Sequence, residues 1–107
     1  MRTLDFIYGI HHSGLNVTVR RGYKWAEVNI GEEVILSTKG VPNEGDYRKA
    51  IIRAITIKPF NLITSREITL EHDPLCTTPD GLLTAMQRAY PDFKEDDVCV
   101  LLTYEKN

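Results

Sequence analysis

Cysteine is scarce in this chain: Cys76 and Cys99 are the two among 107 residues, and neither belongs to a C-x-x-C pair. No disulfide framework can be built from them, so both thiols read as structural and a reducing cytosol is the natural compartment. No apolar run approaches the roughly 20 residues needed to span a bilayer. Met1 to Ile10 also lacks the basic start and long apolar stretch of a signal peptide. A soluble, cytoplasmic protein with no membrane partner is expected. With 7 Gly and 5 Pro, the chain has too little of either for a fibrous or low-complexity sequence. It contains no P-loop, G-x-G-x-x-G or G-x-S-x-G motif, which removes the main nucleotide-binding and hydrolase signatures. Zinc spacing is missing too. His11 and His12 are adjacent and cannot both face one metal from a regular strand or helix, and His72 lies far away in sequence. No metal and no cofactor are expected.

What is present is the composition of an ordinary globular domain, 42% hydrophobic and 26% charged. At this length roughly two-thirds of the unfolded surface can be buried, enough for one core and too little for two, so residues 1–107 read as a single domain. The net charge of −2 hides a gradient. Residues 1–25 carry four bases and one acid (+3), residues 26–65 five of each (0), and residues 66–107 four bases and nine acids (−5). A polyanion, if bound, should meet the N-terminal third.

Leu15 to Arg20 alternates Leu15, Val17 and Val19 with Asn16, Thr18 and Arg20, the two-residue period of a half-buried strand. Gly31 opens a second strand through Val34, Ile35 and Leu36, which ends in the turn-rich GVPNEGD. Arg48 to Lys58 is rich in β-branched residues and reads as a long strand stopped by Pro59. From Asn61 to Thr69 a short helix or a turn, followed by an extended piece, fits about equally. Thr78 before Pro79 predicts a helix to about Tyr90, with Leu82, Leu83, Met86, Ala89 and Tyr90 on one apolar stripe and Pro91 as the stop. Val98 to Tyr104 is nearly all apolar and reads as a central strand. Strands and helix do not alternate, which argues for an α+β fold, a small mixed β-barrel with peripheral helices.

Two segments carry candidate chemistry. In RRGYKWAE, the cations Arg20, Arg21 and Lys24 are interleaved with Tyr23 and Trp25. Cations neutralise phosphates and aromatic faces stack bases, so the five residues suit RNA or another single-stranded nucleic acid. The same segment also reads as a hairpin with Trp25 in the core and the cations solvated. In EHDP, Glu71 and Asp73 flank His72 and form an acid/base set near the helix start. Lys24, three residues from Glu27, is either a desolvated base or half of a surface ion pair.

The order NVTVR, GEEVIL, AIIRAITI, FNLIT, TTPDGLLTAMQRAYP and VCVLLTY resembles the ASCH domain of the PUA-like superfamily, over nearly the whole chain. The resemblance implies a small PUA-like barrel that binds RNA. Some bacterial ASCH proteins instead hydrolyse N4-acetylcytidine, which implies a small amidohydrolase acting on an acylated pyrimidine nucleoside as the alternative. The hallmark G-x-K-x-x-[ET]-x-R fits in two registers. Gly22, Lys24 and Glu27 fit one, with Asn29 in place of the arginine; Thr18 and Arg20 fit the other, with Leu15 in place of the lysine. The hydrolases use a Lys, a Thr and a Glu. Here the implied catalytic set is Lys24, Thr18 and Asp73 or Glu71, with Leu75 near the place of the family's glutamate.

Overall fold

A computed structural model describes residues 2–6, 9–38 and 49–106. Five strands form one sheet: β1 (Arg2–Phe6), β2 (Gly14–Arg21), β3 (Glu33–Thr38), β4 (Lys49–Pro59) and β5 (Val98–Lys106), in the order β1-β3-β4-β5-β2. Every pairing is antiparallel except that of β1 with β3. One helix, α1 (Pro79–Ala89), packs on one face. Short 3-10 helices occupy Lys24–Glu27, Phe60–Leu62 and Pro74–Cys76. The sheet is therefore mixed and the class α+β, but the expected barrel does not close. β1 and β2 lie at opposite ends of the sheet, and β2 is met on its outer side by a loop. The Val17 N–H donates to the Leu70 carbonyl at 2.8 Å, and the Val17 carbonyl accepts from the His72 N–H at 3.1 Å.

The apolar run of β5 follows from burial on both faces. Val100, Leu102 and Tyr104 enter a core with Leu4, Phe6, Val34, Leu36 and Ile52. Cys99 and Leu101 point the other way, into a second core with Val19, Phe60, Ile68, Leu82, Met86 and Phe93. The start of α1 is as expected: the Thr78 hydroxyl accepts from the Gly81 N–H at 3.2 Å, and Pro79 opens the helix. Its buried stripe is Leu82 and Met86; Leu83, expected on that stripe, is only half-buried.

β1 is the strand the sequence reading misses. Leu4 and Phe6 are buried while Thr3 and Asp5 are not, but five residues are too few to display a period. Asn61 to Thr69 resolves into the end of a 3-10 helix followed by turns. The strand expected over Arg48 to Lys58 runs Lys49–Pro59, and the GVPNEGD loop lies outside the described residues. Gly22, at φ +77°, makes the turn from β2 into the 3-10 helix Lys24–Glu27, and its N–H reaches the Val98 carbonyl at 2.8 Å.

Candidate functional site

Alternation along β2 separates the two adjacent arginines. Arg20 points toward Phe6 of β1, with its guanidinium carbon 4.6 Å from the ring centroid and 5.7 Å from that of Trp25. Its Nε donates to the Thr18 hydroxyl at 3.2 Å. Burial lowers the Arg20 pKa, opposed by the nearby Tyr90, Tyr104, Glu71 and Asp5, but a guanidinium stays charged throughout the physiological range. Arg21 faces the other way. It holds Asp92 through two bonds of 2.8 and 3.2 Å and Asp97 at 3.2 Å, beside the rings of Tyr90 and Phe93.

Beyond the outer edge of β2 lies a cleft of about 360 Å³. Thr18, Val19 and Arg20 line one side, Asp5 and Phe6 close one end, Glu71 to Asp73 and Cys76 another, and Leu82, Ala85, Met86, Ala89 and Tyr90 form the apolar wall on and beside α1. The loop from 70 to 72 is held by its main-chain bonds to Val17, which carries Glu71 and His72 to this place.

Glu71 is fully buried. Its Oε1 accepts from the Asp73 N–H at 3.2 Å and lies 2.5 Å from His72 Nδ1. The His72 ring stacks on that of His11 at 5.2 Å and meets the edge of Phe6 at 4.7 Å. His11 Nδ1 is 2.6 Å from the Tyr104 hydroxyl, and burial raises the Tyr104 pKa, which keeps the phenol protonated. Asp73 has a local duty: its Oδ1 accepts from the Leu75 N–H at 3.0 Å and caps the 3-10 helix Pro74–Cys76. Burial pushes the Cys76 thiol up to about 12 and Cys99 to about 11, so neither is a ready nucleophile.

Of the expected hydrolytic set, Thr18, Glu71 and Asp73 share the cleft and Lys24 does not. Lys24 is exposed, with its ammonium 5.7 Å from the Trp25 ring. Of the expected nucleic-acid set, only Arg20 lines the cleft. Tyr23 is 64% exposed on the 22–24 turn, Trp25 packs half-buried against the first core, and Arg21 is tied to its two aspartates. Arg21 is thus engaged in ion pairs with Asp92 and Asp97 and faces away from the cleft. Phe6 lines the cleft, with His11 and Tyr104 packed against its ring, and the sequence reading misses this grouping because nothing local marks aromatic side chains that meet only through the fold. Among the described residues, no three His, Cys, Asp or Glu side chains are grouped to hold a metal ion. Nor is any helix there long and apolar enough to cross a membrane.

No protein-family model and no curated protein matches the sequence. The fold is similar to that of an ASCH domain from Lactobacillus crispatus JV V101, with a TM-score of 0.56 and 15% identity. The likeness covers 85% of this chain and 63% of that one, so this chain spans under two-thirds of its counterpart. At such an identity the likeness concerns the fold alone. The chain has an ASCH-like fold, as the order of its sequence pieces implies.

Proposed function

We propose that the protein is a small RNA-binding module that takes one nucleotide into the cleft beside β2. The observation that carries this reading is Arg20, a half-buried guanidinium set between Phe6 and Trp25 in a cleft whose other wall is apolar. The ASCH-like fold supports it as the kind of scaffold on which such modules are built. Asp5, Glu71 and Asp73 also line the cleft, so it holds more carboxylates than cations. A phosphate inside would be repelled, whereas a base offers donors, acceptors and a flat face. The base therefore enters and the phosphates stay outside, where Lys24 and Tyr23 are exposed beside Trp25. The phosphate role first expected of Arg20, Arg21 and Lys24 together thus narrows to Lys24.

Fluorescence anisotropy with a labelled single-stranded RNA and with the same RNA in a duplex tests this reading. Binding should favour the single strand, because a paired base cannot leave the stack, and Arg20→Ala should weaken it by about tenfold or more, the scale of one charged hydrogen-bonding group. Equal affinity for duplex and single strand would count against it.

A second reading has one observation in its favour, the Glu71–His72 contact beside Thr18 in the same cleft. A hydrolase acting on N4-acetylcytidine would add water across the amide and release acetate and cytidine, with Glu71 or Asp73 moving the proton. Acetate release that falls roughly a hundredfold or more in Asp73→Asn or Glu71→Gln would establish this activity. Lys24→Ala should leave any such rate unchanged, since Lys24 lies outside the cleft.

A further inference from the structure

An edge strand turns every second N–H and C=O away from its sheet. In β2 the phase is set by Val17, whose N–H and C=O bond outward to Leu70 and His72. Thr18 and Arg20 pair with Leu102 and Val100 of β5, with no register shift between them. Two residues beyond Val17, the N–H and C=O of Val19 must also point outward. The loop that covers Val17 turns away at Asp73 into the 3-10 helix Pro74–Cys76. Among the described residues, no other backbone group takes its place at Val19. Val19 lines the cleft between Thr18 and Arg20, so one peptide donor and one peptide acceptor stand side by side where a ligand would lie.

We propose that this open peptide edge at Val19 reads the hydrogen-bonding edge of a nucleobase held in the cleft. The proposal rests on the reading that the cleft takes a nucleotide. An adjacent donor and acceptor is what a base edge presents: adenine N6–H with N1, cytosine N4–H with N3, uracil N3–H with O4. A phosphate has acceptors only and would leave the Val19 carbonyl without a partner. An extended peptide matches a strand edge in kind, but the free stretch here is short. Val17 is already covered and β2 ends at Arg21. The cleft volume of about 360 Å³ lies at the small end for ligand sites and suits one base. Arg20 adds a cation beside the edge, and main-chain recognition explains how a site with few side-chain donors can still fix a base in orientation.

Amide hydrogen exchange followed by NMR on the full chain, free and with each of the four 5′-mononucleotides, tests the proposal. In the free protein the Val19 amide should exchange at least about tenfold faster than those of Thr18 and Arg20, which bond to β5. A saturating nucleotide should slow it by a similar factor, the effect of one added hydrogen bond. A nucleotide methylated on the same edge, such as N3-methylated cytidine or uridine monophosphate, should bind about tenfold more weakly. If nucleotides shift the resonances of Arg20 and Thr18 but Val19 exchange does not change, the edge is not the reader, although the cleft still binds. If none of the four nucleotides shifts any cleft resonance, the cleft reading fails and this inference with it. A Val19 amide as protected as its neighbours in the free protein would overturn the proposal alone. So would slowing by a short alanine peptide and by no nucleotide.

Discussion

Consecutive side chains of a strand point to opposite faces, and at Arg20 and Arg21 this gives two identical residues different work. Arg20 enters the cleft; Arg21 ties β2 to the loop before β5 through Asp92 and Asp97. Arg21→Ala should therefore lower the denaturant midpoint while leaving affinity for single-stranded RNA within about twofold of wild type, the range of changes remote from a site. Urea melts and anisotropy on the same preparation check both halves. The basic aromatic segment was legible as a group, but its division was not, because the face each side chain takes depends on pairing with β5. Glu71 and Asp73 were legible as neighbours in sequence. The main-chain bonds of residues 70–72 to Val17, which bring them beside Thr18, join segments more than fifty positions apart and leave no local trace.

At the scale of the element, α1 shows how periodicity reads a helix correctly and its buried line approximately. Leu82 and Leu83 both fit an apolar stripe, and only packing against Phe60, Ile68 and Cys99 decides that Leu82 lies inside. Leu82→Ala should cost about 2–5 kcal/mol and Leu83→Ala distinctly less, by chemical denaturation. The turn between β4 and the 3-10 helix Pro74–Cys76 depends on charge. Lys58 of β4 holds Glu67 at 2.7 Å, and the Glu67 N–H and side chain are further fixed by Thr64. The Lys58 contact, followed by the Thr64 N–H, holds the Glu67 carboxyl below its ordinary 4.5. A carboxyl depressed on folding stabilises the folded state above its unfolded pKa, and that contribution disappears as pH falls through the folded value. Stability should thus drop from about pH 4.5 downward, and Glu67→Gln should flatten that part of the profile. A profile as steep in Glu67→Gln as in wild type would assign the acid sensitivity to other carboxylates.

For the whole molecule, the class and the order of the elements were legible, because each long strand and the helix carry their own period and stops. Closure was not. Whether five strands form a barrel or an open sheet depends on where the first strand docks, and β1 joins β3 in parallel at the far edge from β2. Among the described residues, that placement leaves the outer edge of β2 uncovered beyond Val17, and there the end of β1, the 70–73 loop and α1 enclose the cleft. The charge gradient along the chain acquires a spatial meaning as well. The exposed cation Lys24 stands outside an acidic cleft, and in the proposed binding mode this separates the base that enters from the phosphate that stays in solvent. The salt dependence of single-stranded RNA affinity reads this separation most directly, for wild type, Lys24→Ala and Arg20→Ala. Lys24→Ala should reduce the slope of log K against log salt by about 0.7, the value of one lost phosphate contact on a single strand. Arg20→Ala should lower affinity at every salt concentration and keep the wild-type slope. A slope that falls in Arg20→Ala and not in Lys24→Ala would place the phosphate in the cleft and contradict the arrangement.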